Sequence, residues 1–257
     1  EAQLMRFFHT STVDSIPYMS HAARKTRYEV REIPPVQLAW LFRVHQIASE
    51  LTVPRYSENS LRERIDDLHS LMTDPAEIRQ VPKILEECGV RLVVVESLPN
   101  SKIDGVCFWI DNQPVIGMSL RFDRIDNFWF VLRHEIEHVL KKHGRTDEII
   151  DDLEGANSGQ GEDLPKEERI ANLAAAEFCT PRDQLDSFYQ RKHPYISERD
   201  IVGFARRLQV HPGVVIGQIH RKTGNYRLLR RYLVNIREYV TPYVVSDGWG
   251  DVFPVEL

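Results

Sequence analysis

Apolar residues recur at helical spacing in several segments of the chain. The clearest segment runs from Asp126 to His143, where the spacing predicts a helix with an apolar face. Asp126 suits the N-cap of this helix, and Gly144 suits the position after its last turn. The same spacing predicts further helices over residues 34–51, 60–72, 74–88, 165–180, 198–208 and 212–220.

Strand patterns are few and short. The β-branched run from Val90 to Leu98 predicts a strand buried on both faces. Residues 106–110 and 115–120 flank a turn at 111–114 and predict a hairpin or a closely spaced pair of strands. Residues 241–257 are expected to be extended or irregular. The pattern predicts an α+β fold, rich in helix with a small sheet, preceded by a helical region.

Composition places the chain among ordinary globular proteins. It has 257 residues, of which 42% are hydrophobic and 28% charged, and its net charge is -5, so a sizeable core is expected and disorder is not. No segment has the roughly 20 consecutive apolar residues that cross a bilayer, and no secretory signal opens the sequence. Cys88, Cys107 and Cys179 are odd in number and far apart, which favours free thiols. We therefore expect a cytoplasmic protein without a membrane partner.

Acidic and basic residues are segregated along the chain. Residues 145–168 contain nine acidic side chains against two basic ones, whereas residues 221–237 contain six basic ones and no acidic one. A solvated helix face is the favoured interpretation of the basic run, and a surface for nucleic acid or an acidic partner is the alternative.

The chemistry is concentrated in the motif His134-Glu135-Ile136-Glu137-His138. Residues four apart lie on one helix face, so both imidazoles can bind one metal ion, and Glu135 can reach a water in an open coordination position. The motif lies within an otherwise apolar helix, and buried polar groups need partners. We predict a metal site with His134 and His138 as ligands.

Several residues qualify as a third ligand. His143 lies about 140° round the helix from His138, so it is expected to point away and to act as a favourable charge at the helix end. Glu168 is the stronger candidate because it begins a helix on which Asn172 lies one turn later, placed to hydrogen-bond a ligand. Glu167 stays open as an alternative. Acidic residues of the preceding loop also stay open: Asp147, Glu148, Asp151, Asp152 and Glu154.

These residues resemble the zinc metallopeptidases of the ImmA/IrrE family. The resemblance rests on the histidine motif together with Glu168-x-x-Ala171-Asn172-x-x-Ala175 and a later Pro181, and it covers roughly residues 75–220. It implies a zincin-like metallopeptidase domain with a small mixed sheet. It also implies that His134, His138 and Glu168 hold Zn²⁺, with Mn²⁺ possible, and that Glu135 is the general base. The chain departs from the family pattern at three places, and these departures affect packing more than metal ligation: Glu137, Ala174 and Phe178-Cys179.

The resemblance also implies a function. Such enzymes cleave a helix-turn-helix transcriptional repressor or an antitoxin-like partner in stress response or mobile-element immunity. Many carry an N-terminal DNA-binding domain, so a missing upstream domain that contacts DNA is an expectation here. An oxyanion donor is also needed, and the candidates are Tyr189, Tyr195, His211 and His220. The strand pair at 106–120 is expected to offer an edge for an extended substrate.

Two other functions compete with the peptidase. Residues 205–219 imitate a helix-turn-helix, and the basic run follows directly, which would suit a DNA-binding regulator. A zinc-dependent sensor would keep the metal site without turnover. We divide the chain into an N-terminal helical or linker region, residues 1–74, and a metallopeptidase domain, residues 75–257.

Overall fold

The computed structural model describes residues 2–8, 34–145, 149–151, 164–249 and 252–253. Its centre is a mixed sheet in the order β4-β2-β3-β1-β5-β6. The strands are β1 Arg91–Val95, β2 Gly105–Ile110, β3 Gln113–Met118, β4 Ile149–Asp151, β5 Val245–Asp247 and β6 Val252–Phe253. The fold is α+β, as predicted.

Strand β1 lies in the middle of the sheet and runs parallel to both of its neighbours, β3 and β5. Strands β2 and β3 form the predicted antiparallel hairpin, with Gly105 opposite Met118 and Ile110 opposite Gln113. The two strands at the carboxyl-terminal end, β5 and β6, fall in a segment for which no strand was predicted. Strand β5 pairs with distant β1, which a local pattern does not reveal, and β6 pairs with β5.

The sheet is covered on both faces, which explains the unbroken apolar run of β1. Its Leu92 and Val94 belong to one core and its Val93 and Val95 to the other, because successive side chains of a strand point to opposite faces. A long helix, Pro35–Glu50, covers the second face with an apolar stripe of Trp40, Leu41, Val44, Ile47 and Ala48.

Helices cover both faces of the sheet, with Pro35–Glu50 on the second face. In chain order they are α1 Ala2–Phe7, α2 Pro35–Glu50, α3 Glu58–Glu63, α4 Ile65–Ser70, α5 Val81–Glu87, α6 Ile125–Leu140, α7 Lys166–Cys179, α8 Arg182–Lys192, α9 Glu198–Leu208, α10 Pro212–Thr223 and α11 Arg237–Val240. Helix α8 was not predicted. The helix predicted over 60–72 is divided between α3, α4 and a 3-10 turn, and the one over 74–88 begins as a 3-10 helix.

Helix α2 belongs to the segment that we assigned to a separate N-terminal region, and it packs on the sheet. The indole Nε1 of Trp40 donates a hydrogen bond to the Val95 carbonyl at 3.0 Å, and Arg43 pairs with Asp247. The division at residue 74 stays a prediction. The three cysteines are free and buried, as expected, and no described helix is long and apolar enough to cross a membrane.

The segment that imitates a helix-turn-helix is part of the core. Residues 213–220 of α10 are all buried, and α10 packs against both α9 and α6. A recognition helix needs an exposed face to enter the major groove. The burial of α10 therefore argues against that use of this segment.

Half of the basic run is paired with acidic residues from elsewhere. Lys222 contacts Asp186 at 2.8 Å, Arg231 contacts Glu198 and Arg237 contacts Glu96. These pairs join distant segments of the fold, and they leave less free charge than the sequence count of six suggests.

The close approach of α10 to α6 requires a glycine. A Cβ atom on Gly217 would lie 2.3 Å from Cβ of Asp126 on α6, a distance that real side chains essentially never reach. The backbone of α10 therefore lies close to α6 at this point, and the residues that follow Gly217 are held beside the amino-terminal half of α6.

We predict that Gly217→Ala destabilises the protein by about 1–3 kcal/mol, because the added methyl group forces α10 away from α6. Urea unfolding measures the change. Gly203 on α9 is the matched control, since a Cβ there meets nothing within 4 Å. Gly203→Ala is expected to be neutral or to stabilise by up to about 1 kcal/mol. Equal effects of the two substitutions would contradict the close contact.

Candidate metal centre

Helix α6 carries the histidine motif through the centre of the core. All of its residues except Arg133 are buried, and His134, Glu135 and His138 are 0% exposed. The helix begins at Ile125, with Arg124 rather than the predicted Asp126 at the N-cap, and Asp126 forms an ion pair with Arg124 at 2.8 Å. The motif is thus held on a rigid element inside the protein.

The predicted ligand atoms converge. Nε2 of His134 lies 3.0 Å from Nε2 of His138, and the carboxylate of Glu168 lies 3.4 Å from the first and 3.8 Å from the second. In the described residues this is the one group of three or more His, Cys, Asp or Glu side chains close enough to hold a metal ion.

Helix α7 brings Glu168 to the histidines. Its buried residues are Glu168, Ala171, Ala175 and Cys179, which share one helix face by their spacing of three and four. Because the last three are small, α7 packs closely along α6. Glu167 is exposed, so Glu168 is the ligand that the structure favours. Of the loop candidates, Asp151 lies in β4 and the other four lie outside the described residues.

The donor set fits a metal ion. Two imidazole nitrogens and one carboxylate oxygen are the three protein ligands of many catalytic zinc sites, and ligands bound to one tetrahedral ion lie roughly 3.3 Å apart. The observed separations of 3.0–3.8 Å bracket that value. His134, His138 and Glu168 would therefore hold the ion with little rearrangement.

Glu135 lies where the motif helix meets strand β2. A Cβ atom on Gly105, the first residue of β2, would lie 2.2 Å from Oε1 of Glu135, so only glycine leaves room for the carboxylate.

The hairpin does not offer the free edge that we expected for an extended substrate, because Gly105–Cys107 of β2 pairs with β4. Strand β4, not the hairpin, is the outer strand of the described sheet on this side.

His143 contacts a ligand, so the expectation that it points away is wrong. Its Nδ1 lies 2.9 Å from Nδ1 of His138. The expectation assumed that the helix continues to residue 143, but α6 ends at Leu140 and Lys142 has a φ of 58°. That left-handed residue turns the chain back, and the His143 amide donates to the His138 carbonyl at 2.9 Å.

The His143 ring suits a supporting role. Burial lowers the pKa of His143, which keeps the ring neutral and able to accept a hydrogen bond. When Nε2 of His138 binds a metal ion, its Nδ1 carries the hydrogen. This N–H group donates a hydrogen bond to Nδ1 of His143. Sequence spacing missed this contact because a reversal of the chain is not visible in helical periodicity.

The remaining predicted residues have mixed outcomes. Asn172 is half-buried, and in the described part of the chain its side chain makes no hydrogen bond with either histidine, so its role stays a prediction.

The four oxyanion candidates lie in different places. Tyr195 is 88% exposed, His211 caps α10 by accepting a hydrogen bond from the Gly213 amide, and the ring of Tyr189 packs against the ring of His193. His220 alone of the four lies in a cavity next to α6.

The departures from the family pattern lie in packing, as expected. Glu137 forms an ion pair with Arg133 at 2.8 Å on the less enclosed side of α6. Phe178 lies between the rings of Trp129 and His69. None of these contacts touches a ligand atom.

A family model now decides the relationship. The model of the IrrE N-terminal-like domain, Peptidase_M78, matches residues 86–220, which include the whole metal centre. The chain belongs to this family. The resemblance inferred from the sequence motifs is thereby confirmed, and membership of an M78 peptidase family supports a protease-like role. No curated protein matches the chain.

We predict that Glu168→Gln lowers metal affinity far more than Glu167→Gln, because only Glu168 faces the histidines. Metal content after dialysis, measured by elemental mass spectrometry, distinguishes the two. Metal binding also stabilises the folded state, so a chelator should lower the melting temperature of the wild type and of Glu167→Gln but not that of Glu168→Gln. Equal metal loss in both variants would contradict the assignment.

We predict that His143→Phe weakens metal binding by roughly 10- to 100-fold, the usual effect of losing a hydrogen-bond partner of a ligand. Phenylalanine keeps the ring volume and removes both nitrogens. Competition with a chromophoric chelator measures the affinity. His45→Phe is the control, because His45 stacks on Phe108 within the α2 side of the sheet. An unchanged affinity in His143→Phe would show that the 2.9 Å contact is incidental.

Proposed function

We propose that the chain is a zinc-dependent endopeptidase of a regulatory system, which cleaves a helix-turn-helix repressor or an antitoxin-like partner in the cytoplasm. One observation carries the proposal. Two histidines and a glutamate converge in the core to within 3.8 Å of one another. Glu135, which lies between the two histidines in the sequence and is not one of the three converging residues, is also buried. A site that only bound metal would not need Glu135.

The residues divide the chemistry among them. His134, His138 and Glu168 would hold Zn²⁺, which would supply Lewis acidity toward the scissile carbonyl and lower the pKa of bound water. Glu135 takes a proton from the attacking water and passes it to the leaving amine. Helix α6 places Glu135 against Gly105, which forms one wall beside its carboxylate.

Zinc is proposed over manganese because of the ligand atoms. Imidazole nitrogen is a favoured ligand of zinc, whereas carboxylate and water oxygens suit manganese better. The site offers two imidazoles and one carboxylate. The repressor as substrate rests on the family resemblance of the two motifs, and membership of the M78 family supports proteolysis without naming a target.

The proposal is tested with Glu135→Gln, which removes the base and leaves all three ligands. Cells expressing the wild type and cells expressing this variant are compared by a survey of protein N-termini, and metal content is measured in both purified proteins. We expect equal metal content, and new termini in a helix-turn-helix protein only with the wild type. The loss in turnover is expected to be at least about 100-fold.

Other results would favour a different function. Identical N-termini with metal bound in both proteins would favour the zinc-dependent sensor, for which Glu135 is dispensable. New termini confined to proteins that do not bind DNA would keep the endopeptidase and reject the repressor as its target.

A further inference from the structure

A cavity of about 260 Å³ lies beside the amino-terminal half of α6. Its walls include Arg124, Asp126, His220, Arg221 and Arg230, and also Asp104, which directly precedes Gly105. We call it the Arg221 cavity. Helix α10 supplies His220 and Arg221, and the contact of Gly217 with Asp126 holds that helix in place.

Arg221 makes no direct ion pair in the part of the chain that the structure describes, although Asp126 and Asp104 lie near enough to act on its charge. Its guanidinium carbon lies 3.5 Å from the centre of the Phe130 ring, and its Nη1 is buried and makes no hydrogen bond. Within the described residues it forms no ion pair, unlike Lys222, Arg231 and Arg237 of the same basic run. A largely enclosed cation without a direct counter-ion is costly to the folded state, and perturbed charged groups beside a cavity are frequent at functional sites.

The two carboxylates of the cavity walls are already engaged. Asp126 is paired with Arg124 at 2.8 Å, and Asp104 is paired with Arg121 at 2.8 Å. Arg230 is exposed to solvent, so among the described residues Arg221 is the enclosed wall charge that is left without a direct counter-ion. One carboxylate would neutralise it, whereas a phosphate dianion would leave an excess negative charge.

His220 adds a hydrogen-bond acceptor to the cavity. Its Nε2 lies 2.7 Å from the Leu228 carbonyl, and since a carbonyl only accepts, Nε2 is the protonated nitrogen. Burial lowers the pKa of His220, so the ring is neutral and Nδ1 is an acceptor. That Nδ1 is buried without a hydrogen bond. The cavity therefore offers a cation for a carboxylate and an acceptor for an N–H group.

Phe130 lies between Arg221 of the cavity and the metal centre. Phe130, on which Arg221 stacks, lies one turn before His134, and the centres of these two rings are 6.4 Å apart. On the opposite wall, Asp104 is followed by Gly105, which touches Glu135. Asp126 of the cavity lies about two turns of α6 before His134, roughly 12 Å at 1.5 Å per residue, which about three or four extended residues of a peptide would span.

We propose that the Arg221 cavity is a specificity subsite that binds an aspartate or glutamate of the peptide substrate, close to the scissile bond. The carboxylate pairs with Arg221, and a backbone N–H of the same peptide donates to Nδ1 of His220. This inference rests on the proposed peptidase function for its biological meaning, but its binding chemistry is testable without any hydrolysis.

The first experiment measures binding to the metal-loaded chain by calorimetry at constant ionic strength. The probes are acetyl-Glu-methylamide, the neutral acetyl-Gln-methylamide and inorganic phosphate. We expect the glutamate probe to bind best, and Arg221→Met to weaken it by roughly 10- to 100-fold, the effect of losing a charge-assisted hydrogen bond. Arg227→Met is the matched control, because Arg227 is an exposed arginine outside the cavity walls.

Thermal unfolding shows whether Arg221→Met folds. Because it removes a buried unpaired charge, its melting temperature is expected to equal or exceed that of the wild type without probe. A clearly lower melting temperature would assign Arg221 a structural role and overturn the proposal. Equal binding of the glutamate and glutamine probes would also overturn it, as would preferential binding of phosphate, which would indicate a free-anion site.

A peptide library then tests the link to catalysis. The wild type is expected to prefer an acidic residue at one fixed position near the cleaved bond, and Arg221→Met to lose that preference while Arg227→Met keeps it. Cleavage with no acidic preference would reject the subsite and keep the peptidase. Glutamate binding that depends on Arg221, without any cleavage, would keep the anion site and reject the peptidase.

Discussion

The close packing of α7 along α6 determines whether the metal centre exists. Two histidines on one helix leave a metal ion with too few ligands, and the missing carboxylate comes from a helix about thirty residues further along the chain. The stripe of Ala171, Ala175 and Cys179 lets the two helices approach, because small side chains reduce the distance between helix axes. Larger residues there would move Glu168 away from both imidazoles at once.

The sequence was sufficient for the elements that carry their own periodicity. Helices α6, α7, α9 and α10, strand β1 and the hairpin were predicted close to their observed bounds. The three candidate ligands that the structure brings together were named from spacing and family resemblance. Helix α8 was missed because it is strongly polar, with only Leu185 and Phe188 buried. Strand β5 was missed because its partner is β1, about 150 residues earlier in the chain, and such pairing has no local signature.

The errors at the site come from the ends of elements and from burial. His143 was misplaced because the periodicity was continued through Lys142, where the chain reverses. Arg221 was counted among the charges of a basic run, and a count of charges does not distinguish an arginine paired at the surface from one enclosed against Phe130. Both residues derive their significance from contacts between segments, which only the folded structure displays.

Helix α6 has almost no surface of its own, because its single partly exposed residue is Arg133. Nearly every substitution along it would disturb the core, the ligands or the base together. Inherited changes are therefore expected to accumulate in the segments around the helix, such as the end of α10 and the chain that follows it. The candidate metal centre and its surroundings can in this way diverge at different rates within one domain.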